Sequence, residues 1–261
     1  MAVDDNARKG IVARVVSVLE AVVESGHPVG PRELDRTTGI DRSAVGRILQ
    51  QLTDEGVLDR VEGGYAVGSR LYRLGRLVVA KDSVTRAATP VLERLSRTYN
   101  ETCYVCVKDG DQAVHIAAVE STNPVRYVIN LGELFPLYAG TPGRAILSGL
   151  PREEVEGILD RVEILPITPK TITDRDELLA AIEEDVERGY TTTSGQRIEG
   201  GFAVGAPFFD ASGTCIGSLV FTRPTSRLDP DKVPEYGAAV SAAAAELSSR
   251  LGYHPEEDSD A

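Results

Sequence analysis

The strongest constraint on the fold lies in the first quarter of this 261-residue chain, where helical patterns are followed by a glycine-rich turn. Residues 11–26 (IVARVVSVLEAVVESG) repeat apolar side chains three and four positions apart, which predicts a helix with one apolar face. Pro31 opens a shorter helical segment, and Gly39 supplies a turn. Asp41 is a suitable N-cap for RSAVGRILQQLTDEG, which predicts a third helix that ends at Gly56. The buried face of that helix is predicted to comprise Val45, Leu49 and Leu52, with Ile48 beside it.

A β-hairpin is predicted directly after the third helix. VLDRV and YAVG are short β-rich runs separated by glycines. Helix, short helix, turn, helix and hairpin, in this order within about 60 residues, predict a winged helix-turn-helix domain. A generic three-helix domain shares the periodicity and is the alternative.

The net charge of −12 is unevenly distributed along the chain. Residues 1–80 carry 11 basic and 11 acidic residues, whereas residues 81–261 carry 17 and 29. Eight arginines lie between Arg32 and Arg76. This asymmetry favours two parts with separate tasks, the first of them suited to nucleic acid. An acidic surface that aids solubility explains the second part but not the arginine cluster.

Composition favours a cytoplasmic protein without a membrane partner. No apolar run approaches the roughly 18 residues of a membrane span. The N-terminal MAVDDNARKG lacks the apolar core of a signal peptide, and three cysteines do not form a disulfide framework. Cys103 and Cys106 would point to opposite faces of a strand, so we expect small core residues rather than a metal or redox site. We therefore expect no metal and no cofactor.

The rest of the chain predicts a helical connector and an α+β domain. Residues 69–100 form an arginine-rich helical stretch, expected to restart before Pro90 because proline is tolerated mainly in a first helical turn. TCYVCV, AVHIAAV and RYVIN predict strands, and FAVGAPFFDASGTCIGSLVFT predicts two more around a turn. TPGRAILSGLP, DRDELLAAIEEDVERGY and the segment after Pro230 predict helices. Strands flanked by helices indicate an α+β fold with an antiparallel sheet.

We accordingly divide the chain into two domains, a linker and a tail. The predicted boundaries are 1–68 for the mostly α-helical winged helix-turn-helix, 69–82 for the linker helix, 83–254 for the α+β domain and 255–261 for a disordered tail.

The third helix is expected to enter the major groove of DNA. The helical period places five residues on its exposed side: Arg42, Ser43, Ala44, Gly46 and Arg47. Arginine can bond guanine with two N–H groups, and a small residue permits close approach to a thymine methyl or the backbone. Gly46 destabilises the helix by about 1 kcal/mol relative to alanine. A closer approach of the helix to DNA would explain why glycine is present at this position. The alternative is neutral drift.

Three arginines beside the helix and hairpin are candidates for phosphate contacts. They are Arg32, Arg60 and Arg70. Any single one of them is equally compatible with an ordinary solvated surface position.

These features together resemble the IclR family of bacterial transcriptional regulators over nearly the whole chain. The segments that carry the resemblance are RELDRTTGIDRSAVGRILQQLTDEGVLDRVEGGYAVGSRLYRLG, PLYAGTPGRAILSGLP, TPKTITDRDELLAAIEEDVERGY and GGFAVGAPFFDASGTCIGSLVF. The resemblance implies an N-terminal DNA-binding domain, a linker helix and a C-terminal GAF-like α/β effector domain. It also implies dimers or dimers of dimers that respond to small metabolites, often carboxylates or aromatic acids. The family often has a larger polar residue at position 46 and threonine at 44.

The resemblance also implies an effector pocket. Its residues would be the loop Tyr138, Ala139, Gly140, Thr141, Pro142 and Gly143, together with Tyr127, Thr193, Gly201, Ala203, Val220 and Thr222. The loop opens a helix whose N–H groups suit a carboxylate. Members that bind small acids tend to have an acidic residue near position 193, cysteine near 203 and serine near 220. We therefore expect a more apolar pocket and a larger or aromatic ligand, although each position could simply be core.

The function expected from this resemblance is a ligand-responsive transcriptional regulator, a repressor of a catabolic operon that binds an inverted-repeat-like operator. Leu71, Leu74, Leu77 and Val78 form an apolar stripe suited to a second copy. Gly143→Val is expected to reduce effector affinity at least tenfold while operator binding without effector persists. The alternative is that Gly143 only allows the helix to pack tightly on the sheet, in which case stability and both affinities would fall together. The alternatives are an enzyme on the same α+β body, for which no catalytic motif is present, and a scaffold without a ligand.

Overall fold

The computed structural model describes residues 10–254, with only the backbone described at 79 and 80. The predicted tail at 255–261 lies outside the described residues. The chain divides after Asp82 into two compact units, which are described separately below. Within the described range, no helix is long and apolar enough to cross a membrane.

The first unit is a winged helix-turn-helix, as the sequence predicted. Its elements are α1 (Ile11–Glu24), α2 (Pro31–Thr38), α3 (Arg42–Asp54), β1 (Leu58–Val61), β2 (Gly64–Val67) and α4 (Ser69–Lys81). Strands β1 and β2 pair antiparallel as the wing. Gly39 ends α2 with a φ of 67°, a left-handed conformation that favours glycine.

The core of the first unit shows that α3 is more deeply buried than predicted. Val45 and Leu49 are fully buried, as expected, but so are Ile48 and Ala44, whereas Leu52 is only partly buried. The packed face of α3 is wider than a single apolar stripe because α1, α2 and β1 all contact it.

The second unit is a six-stranded antiparallel sheet covered by helices on both faces. Its helices are α5 (Ser83–Tyr99), α6 (Gly140–Ser148), α7 (Arg152–Arg161), α8 (Arg175–Arg188) and α9 (Val233–Arg250). Its strands are β3 (Thr102–Asp109), β4 (Gln112–Val119), β5 (Leu134–Pro136), β6 (Thr191–Ser194), β7 (Gly201–Phe209) and β8 (Cys215–Pro224). The strand order is β5-β4-β3-β8-β7-β6. One apolar cluster joins the sheet to α5 and α9, and a second joins it to α6, α7 and α8.

Several local predictions differ from the structure. Residues 126–130 form no strand, and the edge strand is β5 instead. The helical stretch restarts at Ser83, which leaves Pro90 inside α5 rather than in its first turn. The helix predicted for DRDELLAAIEEDVERGY is α8, and Asp174 caps it by accepting a hydrogen bond from the Glu177 amide.

Cys103 and Cys106 lie on strand β3, and each is fully buried. Cys103 packs in the cluster with α5 and α9, and Cys106 packs in the cluster on the opposite face. Burial raises the pKa of both thiols, which keeps them protonated. Their side chains therefore do not converge on one site.

Candidate DNA-reading helix and ligand cavity

The N-terminus of α3 is held in place by its cap. The Asp41 carboxylate accepts hydrogen bonds from the amides of Ser43 and Ala44 at 3.1 and 3.0 Å and from the Ser43 hydroxyl at 2.7 Å. These hydrogen bonds, that of the Ser43 hydroxyl first, lower the pKa of Asp41. The cap fixes the start of the helix and leaves Arg42 and Arg47 exposed.

Two small residues of α3, Ala44 and Gly46, are less exposed than the arginines beside them. Ala44 is only 5% exposed and packs in the core, so the prediction that it faces outward is wrong. Gly46 is half-buried, and a Cβ added to it would meet no atom within 4 Å. Packing inside the protein therefore does not require glycine at position 46.

The three candidate phosphate-binding arginines differ in their surroundings. Arg32 on α2 and Arg60 on β1 are exposed. Arg70 is exposed as well, but its Nη1 donates to the Glu55 backbone carbonyl at 3.0 Å and lies 2.6 Å from the Glu55 carboxylate. Arg70 therefore ties the start of α4 to the end of α3.

The predicted apolar stripe of the linker lies on α4. Leu71 is half-buried within the first unit, whereas Leu74, Leu77 and Val78 are 44%, 45% and 68% exposed. Three neighbouring apolar side chains in water are a candidate surface for a second chain.

The second unit contains a cavity of about 290 Å³ at one end of the sheet. Residues of β3, β4, β6, β7 and β8, the first turn of α6 and the segments 127–133 and 195–198 line it. Seven of the twelve residues expected in the effector pocket lie in its wall: Tyr127, Thr141, Pro142, Thr193, Gly201, Ala203 and Thr222. The other five (Tyr138, Ala139, Gly140, Gly143 and Val220) do not line it.

Those five residues are buried around the cavity. The Tyr138 hydroxyl accepts a hydrogen bond from the Leu165 amide, and Ala139 is the N-cap residue of α6. Val220 belongs to the core cluster on the α6 face of the sheet. A Cβ on Gly143 would lie 2.1 Å from the Leu137 carbonyl oxygen, so this glycine allows α6 to pack on the preceding loop. Packing therefore explains this glycine, and its predicted role in close approach to a ligand stays a prediction.

A hydroxyl pair joins α6 to the sheet inside the cavity. Thr141 Oγ1 and Thr193 Oγ1 are 2.8 Å apart, and Thr141 Oγ1 donates to the Ala203 carbonyl at 3.2 Å. Because the Thr141 proton goes to that carbonyl, Thr193 is the donor within the pair. These bonds fix the first turn of α6 against β6 and β7.

Arg197, Glu133 and His115 line the same cavity, and sequence reasoning did not select any of them. Arg197 Nη2 donates to Glu133 Oε1 at 3.1 Å, and its Nη1 is 3.3 Å from His115 Nε2. The guanidinium carbon lies 4.1 Å from the centre of the Phe135 ring. The wall of the pocket therefore carries an ion pair, which differs from the apolar pocket that we expected.

His115 is 2% exposed and stays neutral near pH 7. The pKa of His115 is lowered to about 4, mainly by burial and then by the Arg197 guanidinium. The Glu133 carboxylate and the Asn130 carbonyl act in the opposite direction and raise this pKa. Its ring lies 5.2 Å from that of Tyr104 and 4.7 Å from that of Phe135.

A signal for these residues was present in the sequence. Arg197 is the basic residue in SGQRIEGG, a glycine-flanked segment between two strands, and His115 interrupts the apolar strand AVHIAAV. Loops between strands commonly carry binding residues. The described residues contain no cluster of histidine, cysteine and acidic side chains that could hold a metal ion.

Comparisons with known proteins cover both units. A model of the bacterial transcriptional regulator IclR C-terminal domain matches residues 77–249, and one of the IclR helix-turn-helix domain matches residues 11–62. The HTH-type transcriptional regulator KipR of Bacillus subtilis is 33% identical over 222 residues, which are 85% of this chain and 89% of that protein. The HTH-type transcriptional regulator KdgR of Escherichia coli is 30% identical over 246 residues, 93% of each chain.

Solved structures share the fold as well. The crystal structure of the Thermotoga maritima IclR superposes with a TM-score of 0.74 at 26% identity, over 93% of this chain and 98% of that one. The matched relatives are regulators and not enzymes. With a family model over most of its length and a winged helix-turn-helix before it, the chain belongs to the IclR family of DNA-binding transcriptional regulators.

Proposed function

We propose that the protein is a repressor that binds an operator through α3 and releases it when a small organic acid or aromatic metabolite occupies the cavity. The observation that carries this proposal is the cavity of about 290 Å³, whose wall combines a guanidinium, hydroxyl groups and the first turn of a helix. Sites for small molecules are mostly apolar clefts with a few convergent polar groups.

On the DNA side, we assign α3 to the major groove. Arg42, Ser43 and Arg47 would face base edges, and Gly46 would permit close seating. Arg32 and Arg60 are exposed and would contact phosphates. Arg70 would act mainly through its bonds to Glu55, by holding α3 and α4 together.

We propose the division into domains given above, with residues 1–68 for DNA, 69–82 as the linker and 83–254 for the effector. The exposed Leu74, Leu77 and Val78 support a homodimer or a dimer of dimers on an inverted-repeat-like operator. A protein with this task would work in the cytoplasm, where the bacterial chromosome is.

The size of the cavity favours a small ligand. Pockets for drug-sized molecules measure roughly 300–1,000 Å³, so about 290 Å³ suits a compact acid or a single aromatic ring. Of the larger or aromatic ligand that we expected, the size favours the aromatic one. The cavity has apolar walls, which are formed by Ile129, Phe202 and Ala203. Arg197 adds a positively charged group to the same cavity.

A thermal-shift screen of aromatic and aliphatic acids tests this proposal. A ligand at 100 times its dissociation constant should stabilise the protein by about 2.7 kcal/mol. Ala203→Leu, which fills the cavity, should abolish the shift, and Ala180→Leu on the exposed side of α8 should not. If Ala203→Leu retains the full shift, the ligand binds elsewhere. If no acid shifts the protein, the scaffold alternative is favoured.

A further inference from the structure

Arg197 is held rigidly in the wall of the cavity. Its side chain is 17% exposed, and the guanidinium stacks on the Phe135 ring. Its stem packs on the start of α6, because a Cβ added to Gly140 would lie 3.0 Å from the Arg197 Cβ. The guanidinium and the positive end of the α6 dipole therefore belong to the same cavity, and both favour an anion.

The acidic partner of Arg197 is held much less firmly. The Glu133 side chain is 44% exposed, and its contacts are Arg197 Nη2 at 3.1 Å and Asn130 Nδ2 at 3.2 Å. Solvent-exposed ion pairs contribute little to stability. Glu133 can therefore turn into water at little cost, whereas Arg197 cannot leave the ring and the helix on which it packs.

His115 helps to hold Arg197 in the wall of the cavity. Arg197 is always a donor, so the contact with His115 Nε2 makes that nitrogen an acceptor and leaves the proton of the neutral ring on Nδ1. His115 is 98% buried, and the nearby Asn130 carbonyl favours the proton on the ring. The fixed ring therefore keeps Nε2 directed at the Arg197 guanidinium.

We propose that a carboxylate of the effector replaces Glu133 on Arg197, so that Glu133 acts as a built-in competitor and sets the affinity of the site. This inference rests on the proposed function, because it assigns the ligand to the same cavity. The ligand class is a small monocarboxylate with a compact apolar body. Arg197 binds the acid group, His115 holds Arg197 in place, and Glu133 moves toward solvent.

The competitor role gives variants with opposite effects. Arg197→Gln should weaken the binding of a carboxylate by about tenfold or more, because a charge-assisted hydrogen bond is lost. Glu133→Gln should instead tighten it by about threefold or more, because the competing charge is removed while the shape is kept. If Glu133 only shaped the cavity, changing it would weaken the binding of the acid. Tighter binding by Glu133→Gln would therefore identify Glu133 as a competitor.

The probes are acid–amide pairs that share a carbon skeleton: benzoate and benzamide, phenylacetate and phenylacetamide, propionate and propionamide. Calorimetric titration of the full-length protein measures each affinity. The matched controls are Arg126→Gln and Glu120→Gln, which make the same changes in an exposed ion pair of 2.9 Å that does not line the cavity. The controls should bind like wild type, and the amides should respond little to any variant.

The inference is overturned if Arg197→Gln leaves acid affinity unchanged, if Glu133→Gln weakens it, or if no acid binds the wild type. An amide that binds in the cavity and releases DNA would overturn this inference but leave the proposed function intact. An acid that follows the expected pattern without affecting DNA would support the inference and contradict the proposed regulation. Melting temperatures of all variants show whether each one is folded.

Discussion

Gly46 in α3 faces open space. A substitution at this residue can therefore change the stability of the helix and its binding to DNA in opposite directions. Gly46→Ala should stabilise the first unit by about 1 kcal/mol, because alanine favours the helix and meets no atom. If the bare backbone permits close seating on DNA, the same variant should bind the operator more weakly. Thermal unfolding and DNA-binding titration give the two values. A more stable variant with wild-type affinity would identify the glycine as neutral drift.

Gly143 lies where the chain has no room for a side chain. Gly143→Ala should destabilise the second unit by about 1–3 kcal/mol, because its Cβ would meet the Leu137 backbone. Ligand affinity and stability should fall together, unlike the loss of affinity alone that we first expected for Gly143→Val. Gly157→Ala is the control, since its Cβ would approach only Nη1 of the Arg161 side chain, at 3.3 Å. Urea unfolding compares the two variants. A Gly143→Ala protein as stable as wild type would contradict the packing role.

His115 should make stability depend on pH in a defined window. Its pKa is lowered to about 4 in the folded protein by burial and by Arg197, so the unfolded chain binds more protons below the ordinary value of 6.5. The free energy of unfolding contributed by this residue should therefore decrease as the pH falls from about 6.5 to about 4. His115→Phe should lack this component, and urea titrations of both proteins across the window measure it. Parallel curves for the two proteins would show that His115 does not titrate in this way.

At the scale of single elements, α3 is the part of the protein that we expect to determine the operator sequence. Arg47→Ala should cost about 1–3 kcal/mol and relax the base preference if its guanidinium bonds a guanine. Arg32→Ala on α2 should weaken binding equally for all sequences and reduce its salt dependence. Gel-shift competition at two salt concentrations separates the two patterns. Arg47→Ala with unchanged affinity and preference would remove it from the reading surface.

Elements with local signals were predictable from the sequence, and those set by distant contacts were not. Asp41 and Gly39 mark the boundaries of α3 and α2 through bonds and torsions of their own neighbourhood. Residues 126–130 have a strand-like composition but do not pair. The Thr102 hydroxyl instead donates to the Tyr127 carbonyl, and Arg227 donates to the carbonyl of Val125, just before this segment. Such side-chain contacts join residues far apart in sequence and leave no periodic pattern.

The residues that line the cavity were predicted only in part, for the same reason. The positions carried over from the family identify the strands and helix that form it, and seven of the twelve line the wall. Arg197 and Glu133 form an ion pair although they adjoin β7 and β5, which lie toward opposite edges of the sheet. Charge pairing across that distance could not be deduced from spacing.

At the scale of the whole molecule, we expect a dimer or a tetramer through the exposed face of α4. Leu77→Glu should shift the protein at micromolar concentration toward the 28.0 kDa monomer, because a carboxylate would be buried without a partner. Arg76→Glu, on the opposite side of α4, is the control and should assemble like wild type. Light scattering reads the mass. A wild-type monomer, with or without DNA, would contradict the assembly.

The central claim is that occupation of the cavity controls DNA binding. The most direct measurement is the fluorescence anisotropy of an operator, selected from random DNA by the protein itself, with and without the acid that binds most tightly. We predict that the acid releases wild-type protein from the operator, and that Arg197→Gln binds the operator with wild-type affinity but no longer responds to the same concentration of acid. Operator affinity that is unchanged by saturating acid would contradict the claim.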